Sequence, residues 1–236
     1  MEKYEKVIEG IHRIIGVRSN IYLIEGEDLI LVDTGMPGDG AKVLEVLKEL
    51  GYRNEDVKYI LITHAHLDHV GSLAFLKEST GAKIVASVKE KDFIEGKKML
   101  CSMKRESFSG KFFKIILFML EKFAAKYEPA ILDIPFDGNE NKEIVKGIKI
   151  INTPGHSMGS LSYLCLAKDA VFTGDALTGV PVPGLPMRAG CSDHGQALVS
   201  VKYISELYFK TALFGHGIPV KEDAVAVVKS VLQKAC

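Results

Sequence analysis

Short apolar runs and amphipathic stretches alternate through the first hundred residues. Residues 20–35 alternate apolar and polar side chains and then become continuously apolar at 29–32, which predicts two strands around a turn at 25–28. Residues 38–51 place apolar side chains on one helical face and end at Gly51, which predicts an amphipathic helix with a glycine stop. Residues 57–63 and 82–87 have the composition of buried strands, and 71–80 that of a short helix.

The second half repeats this mixture of elements. Strands are predicted at 147–153, 160–166 and 170–174, and a strand with its following loop at 211–217. Helices are predicted at 192–208, with Ser192 or Asp193 as the N-cap, and at 221–234. Strand runs followed by helices in both halves predict two sheets with helices outside them.

The segment between the halves has a different pattern. Residues 107–129 carry lysines along one helical face and large apolar side chains along the other, and Pro129 ends the segment. Phe118 interrupts the polar face, and exposed aromatic side chains often mark a contact surface. We expect a helical insertion at about 90–129 that lies over the functional site, with Phe118 and neighbours such as Phe112 or Leu117 shaping an apolar pocket or a homodimer contact.

Composition narrows the range of partners. The 236 residues suit one large domain or two small ones, and the 30 basic and 30 acidic side chains cancel. This balance gives no reason to expect nucleic acid as a partner. The longest dense apolar run, 112–120, is too short for a membrane span. The charged N-terminus and four scattered cysteines favour a cytoplasmic protein with reduced thiols.

A histidine cluster follows the strand predicted at 57–63. His64, His66, Asp68 and His69 occupy a six-residue segment in a chain with only 7 histidines. Imidazole nitrogens and carboxylate oxygens bind zinc, manganese and iron. Because four ligand-type residues exceed what one tetrahedral ion usually takes from a single loop, the spacing indicates two metal ions.

Three further ligand candidates also follow apolar runs. His156, Asp175 and His216 each come after a predicted strand and next to or near a glycine. Taken singly, each of them fits a metal ligand and an ordinary polar residue equally well. His12 is interpreted as structural, and so is His194, although a substrate contact stays open for His194.

These segments resemble the metallo-β-lactamase superfamily, whose H-x-H-x-D-H signature appears here at residues 64–69. The resemblance runs from "LVDTG" (31–35) to "GHG" (215–217). It implies a single domain over 1–236 with a four-layer αββα sandwich of the α/β (α+β) class and metals at one edge of the sheets. It also implies that His64, His66 and His156 bind one ion, that Asp68, His69 and His216 bind the other, and that Asp175 bridges them. Asp33 would steady the histidine loop, although a simple turn aspartate fits equally well.

The resemblance implies a metal-dependent hydrolase with a small-molecule substrate. Two divalent ions, zinc above iron or manganese, would share a hydroxide that attacks an electrophilic carbonyl or phosphorus, with Asp68 orienting it and carrying a proton. The segments "TPGHSMGSLSY" (153–163) and "FTGD" (172–175) are similar to glyoxalase II, and the chain length to acyl-homoserine lactonases. However, the helical domain that holds glutathione in glyoxalase II has no counterpart in this sequence. The tyrosine that the lactonases have three residues after the bridging aspartate is Thr178 here.

The expected substrate is therefore a small carboxylic ester, thioester or lactone. The alternatives are a phosphodiesterase and a non-catalytic binding module of the same fold. β-Lactam hydrolysis is disfavoured, because the common class of metallo-β-lactamases has a cysteine where Asp175 stands.

Overall fold

Two β-sheets form the centre of the molecule in a computed structural model that describes residues 2–98, 127–140, 142–186 and 188–234. The first sheet has seven strands in the order of the chain. They are β1 (Tyr4–Ile8), β2 (Ile11–Ile14), β3 (Tyr22–Ile24), β4 (Leu29–Val32), β5 (Val57–Leu61), β6 (Lys83–Ser87) and β7 (Ile134–Phe136). Strands β1 to β4 pair antiparallel, and β4 to β7 pair parallel.

The second sheet has four strands in the order β11, β10, β9, β8. They are β8 (Ile148–Asn152), β9 (Leu161–Cys165), β10 (Ala170–Gly174) and β11 (Thr211–Phe214). Strands β10 and β11 pair parallel, and the other neighbours pair antiparallel. The described α-helices are α1 (Gly40–Glu49), α2 (Leu67–Val70), α3 (Leu73–Thr80), α4 (Lys91–Ile94), α5 (His194–Ser205) and α6 (Ala224–Gln233).

Three apolar layers hold these elements together. The first lies between the seven-stranded sheet and helices α1 and α3, and it contains Val46, Leu73 and Ile60. The second lies between the two sheets and contains Tyr163 and Phe172. The third lies between the four-stranded sheet and helices α5 and α6. Helix, sheet, sheet and helix are thus stacked in four layers, which confirms the predicted αββα sandwich.

The strand ends determine where the site lies. The histidine segment follows β5, and the loops after β8, β10 and β11 carry His156, Asp175 and His216. Backbone bonds join these loops to one another. Leu161 N–H donates to Thr63 O at 2.8 Å across the two sheets, and Gly215 N–H donates to Gly174 O at 2.9 Å between the ends of β11 and β10. All seven candidate ligands therefore lie at one edge of the sandwich.

Most predicted elements are present, with ends that differ by a few residues. The helix predicted at 192–208 is α5, and its N-cap is Asp193, whose side chain accepts from Gln196 N–H at 3.0 Å. The sequence interpretation did not identify β1, β2, β7, α2 or α4. Strands β1 and β2 form one edge of the sheet and mix charged with apolar residues, so their alternation is weak.

The predicted insertion lies largely outside the described residues. Helix α4 falls inside its proposed bounds of about 90–129, and residues 127–129 have no regular structure. Phe112, Leu117 and Phe118 lie outside the described part of the chain, so their predicted roles stay predictions. Of the helices that the structure describes, none combines the length and the apolar character needed to cross a membrane.

Candidate metal centre

Three imidazoles converge on one point at the edge of the sandwich. His66 Nδ1 lies 2.9 Å from His64 Nε2 and 2.9 Å from His156 Nε2. His64 and His66 leave the extended segment after β5 in the same direction, and His156 reaches them from the loop after β8. The ligand nitrogens of these three histidines all lie within 4.8 Å of one another, so they form a candidate site for a metal ion.

A second group lies beside the first. His216 Nε2 is 3.3 Å from Asp68 Oδ2, and His69 completes a set whose ligand atoms all lie within 4.8 Å of one another. Asp68 and His69 belong to the short helix α2, which turns the chain directly after His66. This turn sends the side chains of one continuous segment into two neighbouring groups.

Asp175 lies between the two groups. Its Oδ2 is 3.3 Å from His156 Nε2 and 3.5 Å from His216 Nε2, and its Oδ1 is 3.6 Å from His69 Nε2. One carboxylate therefore faces histidines of both groups, which is the arrangement that a bridging ligand requires.

Burial makes the first histidine group neutral. It lowers the pKa of His66 to about 4 and that of His156 to about 3, and neighbouring histidines add to the effect. The pKa of His64 falls well below its usual range for the same two reasons. Neutral imidazoles offer the lone pair that a metal needs, so this group is ready to bind at neutral pH.

The second group balances its charges differently. Burial disfavours the charged form of His69, but Asp175, Asp33 and Asp68 outweigh it and raise its pKa to about 10. The pKa of His216 is also raised, because its bond to Asp68 and the charge of Asp175 outweigh burial. Burial raises the pKa of Asp175 against the opposing effect of His69 and His216. The carboxylates around His69 and His216 thus favour positive charge in this group. Protons on the two histidines supply that charge when no metal cation is bound.

Buried atoms in the cluster fit the presence of a cation. His69 Nε2 and Asp175 Oδ1 are both buried, and neither has a hydrogen-bond partner among the described residues. An unsatisfied buried polar atom costs about 1–3 kcal/mol. A bound cation would satisfy both atoms, and a donor set of nitrogen and carboxylate oxygen suits zinc, iron or manganese.

Asp33 supports the second group from behind. Its Oδ2 lies 2.8 Å from His69 Nδ1, and its two oxygens accept from Thr63 N–H and Thr63 Oγ1, each at 2.8 Å. The residue is buried and adopts a left-handed φ of 59°. These contacts favour the interpretation that Asp33 steadies the histidine loop over that of a simple turn residue, because the bond to Nδ1 leaves Nε2 facing the site.

Sequence reasoning missed the residues that hold the loop of His216. Asn20 Nδ2 donates to Phe214 O at 2.9 Å and to Gly217 O at 2.8 Å, and Arg13 Nη1 donates to Gly217 O at 2.9 Å. These donors lie 194 to 204 residues before their acceptors, so no local pattern in the sequence could have identified them.

The two remaining described histidines lie outside both ligand groups. His12 is buried on β2, with Nε2 3.0 Å from Glu25 Oε1 and its ring edge-on to Tyr4, which agrees with a structural role. His194 begins helix α5. The loop before α5 is bonded to the first group, because Ser192 N–H donates to His156 O at 2.9 Å.

An αββα sandwich with a histidine and aspartate cluster at one sheet edge defines a class of metal-dependent hydrolases. The sequence pattern of the metallo-β-lactamase superfamily matches residues 14–216, and the chain belongs to this superfamily. An N-acyl homoserine lactonase of Bacillus cereus is 28% identical over 241 residues, which covers 84% of this chain and 80% of the lactonase. A hydroxyacylglutathione hydrolase of Methylobacillus flagellatus is 26% identical over 201 residues, which covers 81% of this chain and 60% of that protein.

Solved structures agree with this fold. A subclass B3 metallo-β-lactamase of Bradyrhizobium japonicum superimposes with a TM-score of 0.71 at 22% identity, over 99% of this chain and 92% of that enzyme. The likeness confirms the predicted fold and carries no information about the substrate.

Proposed function

We propose that the chain is a dinuclear metal hydrolase that cleaves a small carboxylic ester, thioester or lactone. The observation that carries the proposal is the position of the Asp175 carboxylate, which lies 3.3 Å from His156 in one ligand group and 3.5 Å from His216 in the other. In this proposal, His64, His66 and His156 hold one ion and Asp68, His69 and His216 hold the second. Asp175 serves both.

In the proposed reaction the metal ions would activate the water and the carbonyl, and a protein side chain would transfer the proton. Bound divalent ions would lower the pKa of water enough to supply hydroxide near neutrality and would polarise the attacked carbonyl. In this proposal Asp68 carries the proton: its carboxylate lies 3.3 Å from His216 Nε2, and it is ionised because His69 and His216 outweigh burial and lower its pKa. Its side chain keeps 22% of its surface exposed, so a substrate can reach it. Asp68 would accept the proton of the attacking water and pass it to the leaving group.

Two features support an acyl substrate. The relatives described above include enzymes named for a lactone and for an acylglutathione. In addition, Gly179 N–H donates to His216 O at 2.8 Å, so the hairpin closed by Thr178 and Gly184 lies beside the second ligand group. Val180 and Val182 of this hairpin are 56% and 66% exposed, and they offer an apolar surface to an acyl chain.

Metal analysis with a substrate panel tests the proposal. The purified, reconstituted protein should contain about two ions per chain, because seven ligands exceed the usual demand of one. The loaded protein should then hydrolyse a thioester, an ester or a lactone faster than a phosphodiester or a β-lactam. One ion or none after reconstitution would contradict the dinuclear site, and a preference for the phosphodiester would contradict the substrate class.

A pair of variants tests the assignment of the ligands. Asp175→Ala should abolish turnover while the protein stays folded, because the carboxylate that faces both ligand groups is lost. His194→Ala is the control, because His194 lies just after the loop that is bonded to His156 and outside the ligand groups. The turnover of this variant should stay within a few-fold of that of the wild type. Equal losses in the two variants, measured as kcat/KM, would show that the ligands are wrongly assigned.

A further inference from the structure

Glu90 is a buried carboxylate that contacts two of the ligand loops. It ends the short turn Val88–Glu90, which follows strand β6, and it is only 4% exposed. Strand β6 lies parallel to β5, so Glu90 and the histidine segment emerge from the same end of the sheet. Within the described part of the chain, no ion pair reaches Glu90.

Hydrogen bonds connect this carboxylate to both loops of the first ligand group. Glu90 Oε2 accepts from the backbone N–H of Ala65 at 3.2 Å. Ala65 lies between His64 and His66. Glu90 Oε1 accepts from Ser157 Oγ at 2.7 Å and from Gly159 N–H at 2.9 Å, and Ser157 directly follows His156.

Close packing fixes the position of the carboxylate. A Cβ on Gly159 would lie 2.4 Å from Glu90 Oε1 and 2.6 Å from its Cγ, so only glycine leaves room for the side chain there. Ser157 Oγ also lies 2.9 Å from Ser160 Oγ, which accepts from Ser157 N–H at 2.9 Å. The loop after His156 is therefore folded around the Glu90 side chain.

We propose that Glu90 is a positioning residue that sets the distance between the His64–His66 segment and His156, and so assembles the first metal group. The inference rests on the proposed function. The two loops come from different sheets, and one carboxylate binds a residue adjacent to each of the three histidines. A buried carboxylate without a cationic partner is costly. A cation held by the neighbouring histidines would supply the missing positive charge, so the ion and Glu90 would stabilise each other.

Glu90→Gln separates this role from general packing. The variant keeps the size of the side chain but replaces one acceptor oxygen with an amide group that donates, so it cannot accept from both loops at once. Partners of this kind behind metal ligands typically contribute about tenfold to hundredfold to metal affinity. We expect Glu90→Gln to bind one ion as tightly as the wild type and the other about tenfold to hundredfold more weakly, and Ser157→Ala to show a smaller loss.

The measurements are metal dissociation constants, by competition with a chromophoric chelator, and the visible spectrum of the cobalt-loaded protein. Glu140→Gln is the matched control, because Glu140 also accepts three hydrogen bonds from two elements. Asn152 donates to it from N–H at 2.8 Å and from Nδ2 at 3.2 Å, and Tyr203 Oη donates at 2.9 Å. It should leave both dissociation constants and the cobalt spectrum unchanged.

The outcomes separate the inference from the proposed function. If the wild type binds two ions and Glu90→Gln and Ser157→Ala bind them equally well, the inference is overturned and the proposed function stands. Equal weakening by Glu140→Gln would also overturn it, because the effect would then reflect general destabilisation. A wild type that binds no metal would overturn the proposed function and the inference together.

Discussion

Asp33 shows how a single side chain can orient a candidate metal ligand. It bonds His69 Nδ1 at 2.8 Å, which directs Nε2 into the site, and it anchors Thr63, the residue before the histidine segment. Its left-handed φ of 59° would strain most residues, but aspartate and asparagine adopt this region readily. Asparagine can therefore replace it with little backbone strain.

We predict that Asp33→Asn weakens binding of the second metal by about tenfold to hundredfold. The asparagine oxygen can still accept from Thr63 N–H, but its amide group cannot accept from His69 Nδ1. Metal titration of the variant measures the loss. The control is Asp169→Asn, since Asp169 has a similar φ of 49° and lies away from the ligands, paired with Lys210 at 3.1 Å. Unchanged affinity in Asp33→Asn would show that His69 needs no such support.

At the scale of elements, the loop after β8 is positioned by contact with helix α5. Gly155 precedes His156 and has a φ of 137°, and Asp193 N–H, at the start of the helix, donates to its carbonyl at 2.9 Å. A Cβ at this position would lie 2.3 Å from the backbone nitrogen of Ala197. The helix therefore packs directly on the ligand loop, and only glycine allows this approach.

We predict that Gly155→Ala displaces His156 and removes one metal ion, and that it lowers the free energy of unfolding by about 2 kcal/mol or more. Gly51→Ala is the control. Gly51 has a φ of 85° and open space around it, so alanine there costs strain of about 1–2 kcal/mol without touching the site. Urea denaturation and metal analysis of both variants test this. Full metal content in Gly155→Ala would contradict it.

The sequence predicted elements well where periodicity was strong. The runs at 57–63 and 170–174 are buried strands of the two sheets, and their apolar side chains pack in the layers described above. Strand β7 has only three residues, Ile134–Phe136, and includes a proline, so it lacks a readable period. Element type is thus predictable when a long apolar face must be buried, and less so for short edge strands.

At the scale of the whole molecule, the ligand candidates were predictable because they are crowded and follow apolar runs. Their convergence follows from the sandwich, which brings the ends of β5, β8, β10 and β11 to one edge. Glu90 and Asn20 were not predictable. Their contacts depend on the folded arrangement of segments far apart in the chain, and a single glutamate or asparagine has no distinctive spacing.

The same arrangement would make metal binding a link between the two sheets. His64, His66, Asp68 and His69 follow a strand of the first sheet, whereas His156, Asp175 and His216 follow strands of the second. Each candidate ion would take ligands from both sheets. Metal that binds only the folded chain stabilises it, by about 4 kcal/mol when the free ion is at a thousand times its dissociation constant.

We therefore predict that removing metal lowers the melting temperature by roughly 8–16 °C for each tightly bound ion, since 1 kcal/mol shifts a domain of this size by about 2–4 °C. Melting curves before and after chelation, and after zinc is restored, measure the shift. Chelator already saturated with zinc controls for effects of the reagent itself, because it cannot take zinc from the protein. His216→Ala, which removes a ligand supplied by the second sheet, should lose part of the shift and keep the part due to the other ion. If the metal-loaded wild type melts at the same temperature with and without the chelator, the ions do not link the sheets, and the apolar layer between them is sufficient to hold the sandwich together.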